Sequence, residues 1–303
     1  MIHICLATDF NNVCMCCECI HDIIMTKNAD TEITFYILLD SVKNTQAFDR
    51  FNKLDKINVI PIVSSSYQLV TKNAKIIGLA SWITATTYLR YVIPSLPELQ
   101  NVDRAIYLDT DMMALRDLSD VYNYDLHDNL IGGVRNSTYI KYSYKGSFAF
   151  VGSHENRVIN AGMMLMDLNK LREFDFTKKC IDLTKQRGSD DEIIVNYICK
   201  KKIQFMNATM NVPYTCIAYK DTNMKDIDCW NTFHKTNFAS IDDLLKASYL
   251  LHFISDKQSQ YHNTKLKSVL QAKANRYRKF LKTGIIQKED LVSLVTFNER
   301  KLV

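Results

Sequence analysis

The stretch Ala105-Ile106-Tyr107-Leu108-Asp109-Thr110-Asp111-Met112-Met113 decides how this chain is read. An apolar run ends in two carboxylates one residue apart, and apolar residues resume at once through Ala114 and Leu115. Side chains alternate along an extended segment, so residues i and i+2 point to the same side. Asp109 and Asp111 can therefore reach one hard cation. Mg²⁺ or Mn²⁺ takes such oxygen ligands and keeps positions open for the oxygens of a phosphate-bearing substrate. A solvated turn with two acids is the bland alternative for the pair taken alone. The apolar strand leading into it favours the site.

Working outward, Ile2–Thr8 reads as a buried strand broken by the turn Asp9-Phe10-Asn11-Asn12, with a helix starting near Val13. Ile33–Leu39 is a second buried strand, ended by Asp40. Ile57–Val63 is a third, and Pro61 marks it as an edge. Residues 86–93 read as helix stopped by Pro94, and Arg104–Leu108 is the strand that ends in the carboxylates. Further strands are expected at 130–134, 162–166 and 249–254, helices at 177–186 and 190–200, and a polar loop at 136–156. Strands alternating with helices imply parallel βαβ units and an α/β fold. In such sheets the ligand crevice lies beyond the carboxyl ends of the strands. Asp9, Asp40 and Asp109 all stand at such ends.

With 47% hydrophobic and 23% charged residues, the 303-residue chain has an ordinary globular composition, which excludes a disordered protein. The net charge of +5 suits a phosphate-bearing substrate or an anionic surface without calling for nucleic acid, and no nucleic-acid partner is expected. No apolar stretch reaches the roughly 18 residues a membrane helix needs. Nine cysteines, an odd number without a disulfide framework, and an opening unlike a leader give the expectation of a reducing, cytoplasmic setting. Cys14, Cys16, Cys17 and Cys19 are too closely spaced for the usual structural zinc site. They are expected to pack as small hydrophobes where a helix meets the sheet. Residues 1–260 are expected to form the main domain and 261–303 a basic helical appendage. Lys265, Lys267, Lys273, Arg276, Arg278, Lys279 and Lys282 charge that appendage. It is expected to pack its apolar side on the domain; the alternative is peripheral contact with an anionic membrane. Tyr139, Tyr142 and Tyr144 read as loop residues, with an acceptor-lining role as the alternative. His3, His21, His127, His154, His234 and His262 have no motif partner and read as surface or packing residues.

Ala7–Asn11, Thr87–Arg90, Tyr107–Asp111, Asn160–Leu165, Asp191–Asn196 and the segment from His252 stand in an order that resembles the motif series of the family 8 retaining glycosyltransferases, the group of lipopolysaccharide galactosyl- and glucosyltransferases and glycogenins. Ala7-Thr8-Asp9-Phe10-Asn11 resembles the nucleotide-binding turn, and Thr87-Tyr88-Leu89-Arg90 the T-Y-x-R segment. Tyr107-Leu108-Asp109-Thr110-Asp111 resembles the Y-L-D-x-D signature, and Asn160-Ala161-Gly162-Met163-Met164-Leu165 resembles N-[AS]-G-[VM]-[ML]-[LI]. Asp191-Glu192-Ile193-Ile194-Val195-Asn196 loosely resembles D-Q-D-x-x-N, and His252 begins a degraded H-[FY]-x-G-x-x-K-P-W.

The resemblance implies a GT-A-like, Rossmann-type fold with a mainly parallel sheet. It implies a UDP-glucose or UDP-galactose donor and a divalent cation, Mn²⁺ or Mg²⁺. It places Asp109, Asp111 and His252 on the metal. Ala7, Asp9, Asn11 and Thr110 fall in the donor-binding set, with Asp9 and Asn11 at uracil and ribose. Arg90, Asn160, Ala161, Asp191 and Glu192 would surround the donor sugar, and Lys257 would touch the diphosphate. Of these, Asp191 and Glu192 are the candidate catalytic residues, Glu192 as a transition-state stabiliser, with a covalent nucleophile as the alternative role. The expected acceptor is a glycan, a lipid-linked glycan or a protein. Three departures stand out: Asn12 where an aromatic often stacks on uracil, Glu192 and Ile193 in the acidic motif, and a last motif without its Gly and Pro-Trp. Rival readings are a haloacid-dehalogenase-like phosphatase, opposed by Met112-Met113 where Gly-Thr usually follows, and a non-catalytic nucleotide-sugar-binding module on the same fold.

Overall fold

The computed structural model describes residues 1–9, 12–40, 42–63, 85–136, 158–187, 191–213 and 227–253. Its strands are β1 (Ile2–Thr8), β2 (Ile33–Leu39), β3 (Ile57–Val63), β4 (Arg104–Leu108), β5 (Met112–Ala114), β6 (Ile131–Gly133), β7 (Met163–Asp167), β8 (Ile203–Phe205), β9 (Val212–Pro213) and β10 (Leu250–His252). Four helices matter below: α1 (Val13–Thr26), α2 (Phe176–Arg187), α3 (Asp191–Cys199) and α4 (Ile227–His234).

The apolar runs of β1 and β2 have the composition of strands buried on both faces, and all seven residues of β2 are buried. Alternation along the strands divides their side chains between two cores. Ile4, Leu6, Phe35, Ile37, Ile106 and Leu108 face α1, meeting Cys16, Cys17, Cys19, Ile20 and Ile23. Cys5, Tyr36, Leu38, Ala105, Tyr107 and Met164 face the other way, towards Tyr88, Tyr91, Cys180, Ile194 and Val195. Each fully buried Ile, Leu or Phe contributes about 1.5–3 kcal/mol relative to an exposed one, so a one-residue slip in register is strongly disfavoured.

The large sheet runs β3-β2-β1-β4-β7-β6-β8. β1, β2, β3 and β4 are parallel to their neighbours among one another, while β7 is antiparallel to both β4 and β6. The sheet is mainly parallel, with β7 the exception. Pro61 does lie on the edge strand, opposite Ile37, where a missing N–H costs least. The chain passes from β1 to β2 on one side while β4 lies on the other, so β1/β4 is a switch point. Leu6 is in register with Leu108; β1 runs on beside β2 as far as Thr8, and Asp9 and Asp109 to Asp111 follow the ends of these neighbouring strands.

A second, three-stranded sheet in the order β5-β10-β9 was not expected from the sequence. It explains why apolar residues resume after Asp111. Met112, Met113 and Ala114 are β5 of that sheet, so the two carboxylates occupy the short link between sheets. Met113, Val212, Leu251, Phe253 and Trp230 of α4 form its small core.

The segment expected as one helix over 86–93 is instead two 3₁₀ stretches, Ala85–Tyr91 and Ile93–Ser95. Pro94 does not stop the chain's helical path; it sits in the first turn of the second stretch, where no N–H is needed. Asn12 occupies the N-cap position of α1 without a side-chain cap. Asp9 does the capping instead: its Oδ1 accepts from the Asn12 backbone N–H at 3.0 Å and from Asn12 Nδ2 at 2.9 Å. No helix among the described residues is long and apolar enough to cross a membrane. The basic segment 265–282, the tyrosines at 139, 142 and 144, and all of 261–303 lie outside the described residues.

Candidate active site

His252 ends β10 and pairs with Met112 of antiparallel β5. The register alone therefore carries the imidazole, some 140 residues away in the chain, to the residue next to Asp111. The backbone N–H of Phe253 closes the link by donating to Asp111 O at 2.9 Å. His252 Nε2 lies 3.3 Å from Asp111 Oδ1 and 3.9 Å from Asp109 Oδ2. One ligand atom from each of Asp109, Asp111 and His252 falls within 4.8 Å of the others. Gly162 forms the wall beside them. A Cβ there would clash with His252 Cε1 and meet Asp109 Oδ2 at 2.8 Å, so only glycine leaves room. Two carboxylates and an imidazole at this spacing are a donor set that suits Mn²⁺ or Mg²⁺.

Arg90 organises the acids from below. The 3₁₀ turn Ala85–Tyr91 buries its guanidinium, leaving 3% exposed. Nη2 donates to Asp109 Oδ1 at 2.9 Å and to Thr87 Oγ1 at 2.8 Å, and Nη1 donates to Ala161 O at 2.7 Å. Nε donates to Thr87 O at 2.8 Å and lies 2.9 Å from Asp191 Oδ2. Burial opposes the charge, but Asp109 and Asp191 hold the guanidinium ionised well above its usual range. The Tyr107 ring lies under it at 4.5 Å, and the Tyr107 hydroxyl donates to Asp109 Oδ1 at 2.7 Å. Asp109 Oδ1 is thus engaged by Arg90 and Tyr107, while Oδ2 faces Gly162 and His252.

Glu192 in the first turn of α3 anchors the opposite wall. Its Oε1 accepts from Asn136 Nδ2 at 2.7 Å; its Oε2 accepts from Asn160 Nδ2 at 3.1 Å and from the Ala161 backbone N–H at 2.9 Å. The two asparagines are presented by an antiparallel pairing in which Asn136 N donates to Val158 O and Asn160 N to Val134 O. Asn196, one turn on in α3, grips the strand between them. Its amide donates to Ile159 O and accepts from Ile159 N, each at 2.9 Å. Asn160 Oδ1 faces His252 Nδ1 at 3.0 Å and accepts from Asn211 Nδ2 at 2.9 Å. Burial alone would lower the His252 pKa; Asp111, then Asp109 and Glu192, raise it above the ordinary imidazole range.

Of the residues named from the sequence, Arg90, Asp109, Asp111, Asn160, Ala161, Asp191, Glu192 and His252 meet in this one network. Ala7, Thr110 and Asp9 lie at the adjoining strand ends. Arg90 is turned to protein acceptors, which makes it a clamp on the two acids. Asn11 and Lys257 lie outside the described residues. Asn136, Asn211 and Tyr107 Oη were missed as functional groups. Only Tyr107 had a signal, its place two residues before Asp109.

The fold and site define a mainly parallel α/β protein with two carboxylates and an imidazole, spaced as metal ligands would be, gathered at its switch point. The sequence profile of Glycosyl transferase family 8 matches residues 3–257, and the chain belongs to that family. A putative glycosyltransferase of Haemophilus influenzae is 28% identical over 196 residues, 61% of this chain and 56% of the relative. A probable glycosyl transferase of Streptococcus gordonii is 26% identical over 195 residues, 63% of this chain and 25% of the relative. The matches thus cover about half or less of these relatives' lengths. The galactosyltransferase LgtC, solved with donor and acceptor sugar analogs, shares the fold with a TM-score of 0.68 at 20% identity. That match covers 95% of this chain and 98% of LgtC. The glycosyltransferase GlyE of Streptococcus pneumoniae gives a TM-score of 0.60 at 18% identity, over 90% of this chain and 61% of GlyE. Family membership sets aside the phosphatase reading of the Asp109/Asp111 pair.

Proposed function

We propose that the chain transfers a hexose, glucose or galactose, from a UDP-sugar to an acceptor hydroxyl, with a divalent cation and with retention at the anomeric carbon. The observation that carries this reading is the meeting of Asp109, Asp111 and His252 at the switch point, facing the wall built on Glu192. Mn²⁺ or Mg²⁺ held by those three side chains would take up the negative charge that grows on a departing nucleoside diphosphate, an effect of several kcal/mol. Asp9 stands where uracil would lie, with Asn11 beside it in sequence, and Lys257 is the proposed diphosphate contact. Ala161, Asn160 and Asp191 line the place of the donor sugar.

Arg90 holds Asp109 and Asp191 in place through ion pairs of 2.9 Å to each, so no rearrangement is required when the donor arrives. Glu192 accepts hydrogen bonds from two amides and a backbone N–H, which disperse its charge and lower its nucleophilicity. Those bonds favour Glu192 as an electrostatic stabiliser of an oxocarbenium-like transition state over a covalent nucleophile. The acceptor is a glycan, a lipid-linked glycan or a protein. The proposed location is cytoplasmic, and contact of the basic segment 265–282 with an anionic membrane is the alternative to its packing on the domain.

The test is UDP release from UDP-glucose and UDP-galactose with Mn²⁺, with and without chelator. Chelator-sensitive release is expected. Donor binding without release, across a panel of acceptors, would instead identify a non-catalytic module. Phosphate release from phosphomonoesters, with no UDP release, would overturn the glycosyltransferase reading.

A further inference from the structure

The hydrogen-bond directions around His252 can be worked out from Glu192. An ionised carboxylate only accepts, so the amide of Asn160 must turn its Nδ2 to Glu192 Oε2, at 3.1 Å. Its Oδ1 then faces the other way, 3.0 Å from His252 Nδ1 and 2.9 Å from Asn211 Nδ2. An amide oxygen cannot donate, so the proton in the His252 contact belongs to Nδ1. In the neutral imidazole Nε2 is then the nitrogen with the lone pair. Nε2 is the atom that faces Asp111 Oδ1 and Asp109 Oδ2.

Asn211 holds the same amide from its oxygen end. It is buried, with 1% exposed, and its own Oδ1 accepts no hydrogen bond among the described residues. A buried acceptor without a partner is costly. The bond donated to Asn160 is what this amide provides in return. Flipping Asn211 would bring its oxygen against Asn160 Oδ1, so the orientation is determined at both ends of the chain of contacts.

We propose that Asn160 is a positioning residue that sets the tautomer of His252, aligned by Glu192 and Asn211, so that Nε2 presents its lone pair to the cation. The inference rests on the cation reading above and assigns Glu192 a second task. The carboxylate acts on the metal site through one amide, without touching it. Outer partners of ligating histidines work in this way, and losing one typically weakens metal binding 10- to 100-fold.

The experiment uses the full chain labelled with ¹⁵N-histidine, metal-free, at alkaline pH where the imidazole is neutral. The His252 signals are identified by their loss in His252→Gln. A proton on Nδ1 and a bare Nε2 are expected; a proton on Nε2 overturns the proposal. Mn²⁺ alone is then titrated and followed by its paramagnetic resonance. Asn160→Ala should weaken binding by about 10- to 100-fold and mix the two tautomers. Unchanged affinity with an unchanged tautomer overturns the proposal. Asn211→Leu, close in volume and unable to donate, should shift both readouts in the same direction by less, and it serves if Asn160→Ala does not fold. Wild-type protein that binds no Mn²⁺ overturns the cation reading and the proposal together. Wild-type protein that binds Mn²⁺ with the proton on Nε2 overturns the proposal alone.

Discussion

Two regions of this chain look in sequence like metal centres: the acids at Asp109 and Asp111, and the four cysteines at 14, 16, 17 and 19. The structure treats them in opposite ways. Cys16, Cys17 and Cys19 are fully buried between α1 and the sheet, among Ile20, Ile23 and the β1 and β2 side chains. Burial, with Cys17 and Cys19 alongside, pushes the Cys16 thiol well above its ordinary range, so it stays a neutral thiol. The acids, by contrast, sit at a strand end with a buried arginine beneath one of them and an imidazole beside both. Density of ligand types along the chain is therefore a poor guide. Convergence from separate elements, each with its charge compensated, is what separates a site from a core.

The contrast can be broken most severely at Arg90. Arg90→Leu leaves Asp109 and Asp191 without their cation, and breaking a buried pair in this way costs about 3–5 kcal/mol. Urea denaturation should show that loss, together with loss of UDP release. A change below about 1 kcal/mol, the size of a surface ion pair, would mean the guanidinium is not the keystone of the acids.

Next in size is Asp111→Asn, which removes a proposed ligand charge. Metal-dependent UDP release should fall by about two orders of magnitude, the kinetic equivalent of several kcal/mol. Thermal stability of the metal-free protein should change little. Activity that survives with the same Mn²⁺ requirement would move the cation elsewhere.

Cys16→Ser tests the other region. A hydroxyl in place of a buried thiol, without an assured partner, should cost about 1–3 kcal/mol of stability. Donor turnover in the folded protein should be unchanged, and Cys16 in the native wild type should resist thiol reagents until denaturant is added. Rapid labelling of native Cys16 would contradict the packing account.

A single histidine sets the pH dependence expected of the packed region. His234 packs against Trp230 with ring centroids 4.0 Å apart. Burial, and then Arg135, lower its pKa from 6.5 to about 3. Below pH 6.5 the unfolded chain takes up a proton that folded His234 refuses, so this group removes stability as pH falls from 6.5 towards 3. His234→Asn should flatten that part of the stability profile. A profile identical to wild type would show that His234 is not its source.

Much of the sheet was legible because β1, β2, β3 and β4 are runs of apolar residues ended by acids or turns. The bounds read from the sequence for these four strands are those observed. Pro61 marked the edge for a local reason, its missing N–H. The short strands β5, β8 and β9 carried no such signal, since two or three residues show no period. The second sheet was consequently invisible, and with it the reason that Met112 and Met113 follow the acids. The helix read over 86–93 missed the 3₁₀ geometry, since Pro94 is compatible with a fresh first turn as well as with a stop. Asn211 had no legible role at all. Its partner Asn160 is 51 residues away, and nothing in the intervening sequence encodes their meeting.

By itself the sequence determined the residue types: acids at strand ends, an Asn-Ala-Gly run and a glutamate further on, and the alternation that sorts side chains between two faces. These are local properties, set by spacing and by the chemistry of each side chain. The tertiary structure decided which of them meet. Strand register carries His252 to Asp111, burial leaves Arg90 to neutralise two acids at once, and directional hydrogen bonds turn Nε2 inward. Each of those results depends on groups distant in the chain being desolvated together, and pairwise charge and hydrogen-bond energies become decisive only once that has happened.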